Sequence, residues 1–140
     1  MTEHLVQFLR DRLDEDEAVA RAASPGPWTQ VGIGDYGWAV SFNRPDYAGV
    51  ETEDDDQGRA DADHIARHDP ARVLAEVEAK RRLLVVHAKS SSYDGCATCD
   101  AGNDSCGCLG GAHWEYPCDT MKLLALPYAD HPDYHEEWRP

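Results

Sequence analysis

Positive charge is scarce in this chain: Lys plus Arg number 13 against 27 Asp plus Glu, a net charge of −14. Nucleic acid and anionic membranes select for basic surfaces, so neither is an expected partner. An acidic surface steers instead towards basic proteins. Long apolar runs are also missing. The run at residues 83–86, Leu-Leu-Val-Val, is typical of the longest, far short of the roughly 20 residues that span a bilayer. The first residues, Met1-Thr2-Glu3-His4, lack the basic and apolar regions of a secretory signal, so a cytoplasmic location is expected. Two catalytic signatures are absent as well, the Gly-x-Ser-x-Gly elbow and the Gly-x-x-x-x-Gly-Lys phosphate loop. Residues 32–37 match Gly-x-Gly-x-x-Gly in letters, but no helix is expected to follow them as a dinucleotide site requires. Gly32-Ile33-Gly34 reads only as a turn. No catalytic residue and no organic cofactor are expected.

What the chain does have is 140 residues, 41% hydrophobic and 29% charged, enough for one globular domain with a real core. Residues 1–24 read as an amphipathic helix. Leu5, Leu9 and Leu13 recur at helical spacing beside Phe8, and Ser24-Pro25-Gly26-Pro27 stops the run. Residues 28–52 change to a period of two, with Trp38, Val40 and Phe42 alternating with Ala39, Ser41 and Asn43, and predict a small antiparallel meander. Trp28 and Trp38 read as core aromatics. The acidic run at residues 51–56 reads as a solvated, mobile loop and does not fit the EF-hand pattern.

Residues 60–89 predict a pair of helices, a short one over 60–68 and a longer one opened by Asp69-Pro70. On the longer helix Val73, Val77, Leu84 and His87 fall near one face. Lys80, Arg81, Arg82 and Lys89 make the one basic patch, read as balancing nearby carboxylates. Residues 90–140 hold a cysteine-bearing loop, a short helix over 119–126 and an aromatic, acidic tail. The expected fold class is α+β: helices around a small antiparallel sheet, with a zinc-stabilised C-terminal loop and helix.

All five cysteines, Cys96, Cys99, Cys106, Cys108 and Cys118, crowd into that loop. Such clustering in a cytosolic chain points to metal before disulfides. Cys96-Ala97-Thr98-Cys99 has knuckle spacing, which puts two thiolates on one turn at about 2.3 Å from a shared zinc ion. Cys118 opens the following helix, where free N–H groups favour a thiolate. His87 closes the preceding helix nine residues before Cys96. The expected ligands are therefore His87, Cys96, Cys99 and Cys118, with Cys106, Cys108 and His113 as alternatives. Four protein ligands leave no position for water, so the zinc is expected to be structural. A redox dithiol and a metal-free reduced loop are the competing readings of the same cysteines.

His64 and His68 stand four apart on a predicted helix, with Asp61 three residues earlier. Two histidines and a carboxylate can hold a catalytic metal, which makes a metal-dependent hydrolase the alternative function. The His-Ile-Ala-Arg-His segment lacks the glutamate base of His-Glu-x-x-His enzymes, and ordinary surface histidines fit better. Two further alternatives are an acidic nucleic-acid mimic that inhibits a basic protein through residues 51–56 and the tail, and a DNA-touching zinc protein using the basic patch.

Several segments together carry a resemblance. They are Phe8-Leu-Arg-Asp-Arg-Leu-Asp-Glu-Asp-Glu17, Ala23-Ser-Pro-Gly-Pro-Trp28, His64-Ile-Ala-Arg-His-Asp-Pro-Ala-Arg-Val-Leu74, Glu78-Ala-Lys-Arg81, residues 117–134 from Pro-Cys-Asp-Thr to Pro-Asp-Tyr, and Glu136-Glu-Trp138. The chain resembles an uncharacterised family of actinobacteria and their phages, the domain-of-unknown-function family 6221. The resemblance covers nearly the whole chain and implies an architecture without an activity. The Cys106-Gly-Cys108 insert departs from the simpler family pattern. The function expected is that of a small acidic zinc-binding protein, a non-catalytic module that binds a macromolecular, basic protein partner.

Overall fold

The computed structural model describes residues 2–91, 95–99 and 116–140. Their elements run in the order α1 (Thr2–Ala22), β1 (Thr29–Ile33), β2 (Trp38–Ser41), β3 (Gly49–Glu51), α2 (Asp56–Arg67), α3 (Pro70–Val86) and α4 (Asp119–Ala125). Two 3₁₀ turns, Leu126–Tyr128 and Glu136–Trp138, follow. Among the described residues, four helices with one three-stranded antiparallel sheet make an α+β fold. No described helix is long and apolar enough to cross a membrane. The chain divides into two compact units, Met1–Asp14 with Glu78–Pro140, and Glu15–Val77.

In the first unit the leucine stripe of α1 is buried: Leu5, Leu9 and Leu13 are each no more than 1% exposed. Phe8 beside them is the centre of an aromatic cluster built from the tail. Trp138, His131, Tyr134 and Tyr128 lie with ring centroids 5.1, 5.6, 6.0 and 6.3 Å from it. Arg12, one turn on, is buried; its guanidinium lies 5.0 Å from the Phe8 ring centroid and donates to His131 Nδ1 at 3.0 Å. The tail therefore contributes to the core through Trp138, which is 5% exposed. Of the basic patch, Arg81 pairs with Asp14 at 2.6 Å and Arg82 with Glu78 at 3.0 Å, as expected of charges that balance neighbouring carboxylates.

In the second unit the sheet order is β1-β2-β3. Val40 is buried, and α2 covers β1 and β2 on that side, with Arg59 stacked 5.1 Å from the Trp38 ring centroid. Trp28 and Trp38 are half-buried. Trp28 lies against Phe42 at 4.4 Å and its indole N–H donates to the Ser24 carbonyl at 2.8 Å, closing off the end of α1. Gly32 is a residue of β1 and no strand break. It takes φ +91° at a bulge between Gln30 and Ile33, a backbone shape that glycine adopts without a Cβ clash.

The acidic run is not a loose loop. Glu51 ends β3, and its carboxylate accepts from the amides of Asp35, Tyr36 and Gly37 at 3.0, 2.6 and 3.2 Å, tying down the β1–β2 turn. Asp55 is the N-cap of α2, accepting from Gly58 N at 2.6 Å, and α2 starts at Asp56, four residues earlier than the apolar pattern indicates. Side-chain oxygens that bind backbone amides explain this use of acids, since the first turn of a helix leaves its N–H groups unpaired. Replacing Asp55 with Ala is expected to cost about 1 kcal/mol. Asp54→Ala, one position earlier, is expected to stay within about 0.5 kcal/mol of wild type. Urea denaturation of the two variants checks this; equal midpoints would remove the cap's role. Asp69 repeats the device for α3, accepting from Arg72 N at 3.0 Å, with Pro70 at the first helical position as expected.

Candidate metal centre

The centre is assembled from three local structures of the first unit. The first is the end of α3. That helix stops at Val86, and His87 follows it, buried at 6% exposure, with its amide still bonded to the Leu83 carbonyl at 3.0 Å. The second is a short ribbon. Ser90 N donates to Gly95 O at 2.8 Å and Ala97 N to Ala88 O at 2.9 Å, flanking an antiparallel bridge between Lys89 and Cys96. This pairing folds the chain back so that the Cys96–Cys99 knuckle faces the residue that ends α3. Thr98 locks it there by donating to the Val86 carbonyl, and Cys99 N points at Cys96 Sγ at 3.4 Å. The third is the start of α4, where Cys118 is the N-cap and its carbonyl accepts from Met121 N at 3.0 Å.

These pieces bring His87, Cys96, Cys99 and Cys118 together, with one ligand atom from each lying within 4.8 Å of the others and all four residues buried. His87 Nδ1 is 3.4 Å from Cys96 Sγ, 3.6 Å from Cys99 Sγ and 3.5 Å from Cys118 Sγ. No disulfide joins the three cysteines to one another. Burial pushes the Cys99 thiol well up from its ordinary value, and its two sulfur neighbours add to this. Burial also raises Cys118, against which the Met121 amide works. Burial lowers His87. Without a cation, burial therefore favours neutral thiols and a neutral imidazole; a divalent ion reverses this for the thiols, because its charge outweighs the burial term.

Cys106, Cys108 and His113 lie outside the described residues. His64, His68 and Asp61 sit on the second unit's α2 and its C-terminal cap, where the two histidines meet but the three do not form a group close enough to hold a metal. The two rings stack on each other at 4.3 Å in solvent, His68 Nδ1 lies 3.0 Å from the His64 carbonyl, and Asp61 accepts from Gln57 Nε2 at 2.9 Å. Among the described residues the His87 cluster is the one group of three or more such side chains gathered closely enough to hold a metal. In the tail, His131 and Asp133 stand 3.9 Å apart, with His131 taken up by Arg12.

Sequence reasoning had no view of the ribbon between residues 88–90 and 95–97, nor of the Thr98 contact. A polar residue inside the knuckle, just after a helix end with unpaired carbonyls, was the available signal. No curated protein and no solved structure matches the chain. A family model described as a family of unknown function, DUF6221, matches residues 2–140, and the chain belongs to that family.

Proposed function

We propose that the chain binds one zinc ion through His87 Nδ1 and the thiolates of Cys96, Cys99 and Cys118, and that it works as a non-catalytic module for a basic macromolecular partner. One observation carries the metal reading. Zn–S bonds of about 2.3 Å and a Zn–N bond of about 2.05 Å at the tetrahedral angle place nitrogen and sulfur about 3.6 Å apart. The three nitrogen–sulfur distances here are 3.4, 3.6 and 3.5 Å. A single thiol–imidazole contact has a similar length; the support for a metal is that one nitrogen keeps this spacing to three buried sulfurs at once. Three thiolates with one imidazole in a tetrahedron favour zinc over harder cations. Four protein ligands fill its coordination, so the ion ties α3, the knuckle and α4 together and offers no open position for a substrate. The net charge of −14 supports a basic partner. Reduced thiols at such a site suit a cytoplasmic setting.

Metal analysis of protein purified without added metal is the test. One zinc per wild-type chain is expected, lost in Cys96→Ser, Cys118→Ser and His87→Ala and retained in His64→Ala. Wild-type protein free of zinc would sink the proposal, and a second metal lost with His64→Ala would reinstate the hydrolase reading. Zinc uptake at neutral pH is also expected to release protons, since burial holds Cys99 and Cys118 protonated until the ion arrives. Affinity should then weaken as pH falls, by roughly tenfold per pH unit for each thiol proton displaced. Calorimetric titrations in two buffers of different ionisation enthalpy count those protons; identical heats in both would contradict the ligand set.

A further inference from the structure

In the Glu15–Val77 unit α2 lies against β1 and β2, and the same sheet carries a hollow of about 390 Å³. Small residues, Ala39 and Gly49 among them, form its floor, with Val31 and Val50 beside them and Tyr36 and Tyr47 also lining it. The two rings are 87% and 94% exposed. Neither ring contributes to a core, yet each stands on a tightly held turn. Tyr36 lies in the turn whose three amides bind the Glu51 carboxylate. A Cβ on Gly37, the next residue, would run into the Thr52 carbonyl, so this turn is closely fitted.

Tyr47 closes a turn in which its amide donates to Arg44 O at 3.1 Å, while Arg44 and Asp46 form a two-bond ion pair and Asp46 accepts from Ala48 N. Tyr47 itself is held at φ +57°. That left-handed conformation costs a bulky side chain strain that glycine or asparagine would avoid. Strain kept for a ring that lies in solvent points to a use for the ring outside the fold.

Charge and backbone indicate the occupant. Residues 28–54 hold five acids, Asp35, Asp46, Glu51, Glu53 and Asp54, and one cation, Arg44, already paired to Asp46. Among the described residues β3 is an edge strand. Phe42 N bonds to Ala48 O and Thr52 N to Trp38 O, so the intervening alternation turns the amide groups of Gly49 and Glu51 towards the free edge. An extended polypeptide can pair with such an edge, and lysine or arginine side chains can lie on tyrosine faces in a segment whose acids outnumber its cations. We propose that this hollow docks an extended, lysine- or arginine-bearing segment of a protein partner, gripped between Tyr36 and Tyr47. This rests on the reading that the chain works by binding a basic partner, and it assigns the surface that does so. Turns fixed before binding lower the ordering cost of the contact.

The test uses the full chain with an array of octapeptides in which Arg or Lys alternates with other residues, a matching array with Asp or Glu, and an oligothymidine. Basic octapeptides are expected to bind, to weaken as salt rises from about 50 mM to about 500 mM, and to shift the backbone amide resonances of Tyr36, Tyr47, Gly49 and Glu51. Tyr36→Ser and Tyr47→Asn should each weaken them by about tenfold or more. Asn relieves the strain at position 47, so an unchanged melting curve and zinc content keep the variants interpretable. The proposal is overturned if no basic octapeptide binds, if the variants bind as wild type does, or if oligothymidine binds in preference. Concentration alone shifting those amides would assign the surface to a second copy of the chain and also overturn it. Basic peptides that shift amides elsewhere would sink the hollow and leave the binding reading standing; zinc content, read on the other unit, is independent of both.

Discussion

With zinc bound as proposed, chelating it from wild-type protein is expected to cost the Met1–Asp14 and Glu78–Pro140 unit most of its stability. Zinc held by three thiolates and an imidazole in a folded site contributes apparent binding energies of about 10–16 kcal/mol in small zinc peptides. A whole domain is stable by only about 5–15 kcal/mol. The leucine stripe and the Phe8 cluster remain when the ion leaves, so some of that energy is not stability the unit depends on. The remainder still matters, because the three elements that meet at His87, Cys96, Cys99 and Cys118 include a four-residue knuckle and a seven-residue helix. Helices of that length do not persist alone in water. Even a loss of about 3 kcal/mol shifts a melting point by roughly 15 °C in a unit of this size. Thermal unfolding with and without chelator, and of Cys96→Ser against His64→Ala, reads this directly. A melting point that ignores both the chelator and Cys96→Ser would mean the cluster holds nothing the fold needs. His64→Ala removes an exposed ring and should stay within about 0.5 kcal/mol of wild type.

The second large effect is expected at Phe8, far from the cysteines in sequence. Phe8→Ala leaves a space faced by Tyr128, His131, Tyr134 and Trp138. Removal of a buried phenylalanine costs about 3–5 kcal/mol. Here the edge-to-face pairs and the Arg12 guanidinium over the ring are lost as well. Arg12 also donates to His131, so its own position depends on the tail being docked. The variant should therefore unfold at markedly lower urea and release the tail, which is seen as a red-shifted Trp138 emission and faster proteolysis after residue 126. Leu123→Ala is the control, since that side chain is 44% exposed. A Phe8→Ala cost below about 1 kcal/mol would show that the tail's aromatic residues do not contribute to the core.

Much of the secondary structure is legible in the residues because its signals are local. The leucines at positions 5, 9 and 13 repeat with the helix, Trp38, Val40 and Phe42 repeat with the strand, and Asp69-Pro70 announces α3 with a cap and a fixed φ. The same locality explains the errors. Glu51 and Asp55 read as parts of a solvated run because six neighbouring positions carry five acids. Their roles depend on amides elsewhere: Asp35, Tyr36 and Gly37 for one, Gly58 for the other. Gly32 reads as a break because a bulge and a turn both ask for glycine, and only the pairing partner distinguishes them.

The sequence by itself determined the class of chemistry at the candidate centre: a Cys-x-x-Cys knuckle, a histidine ending one helix and a cysteine opening another are soft metal ligands wherever they fold. It also determined the acidic charge and the helix and strand periods. Only the tertiary structure decided that His87, Cys96, Cys99 and Cys118 meet, with His87 and Cys118 separated by 31 positions, and that Arg12 reaches His131 across 119. Spacing along the chain constrains neighbours within a turn or two of each other. Contacts between distant segments are chosen by which apolar faces bury together, and that choice is made by the whole unit at once.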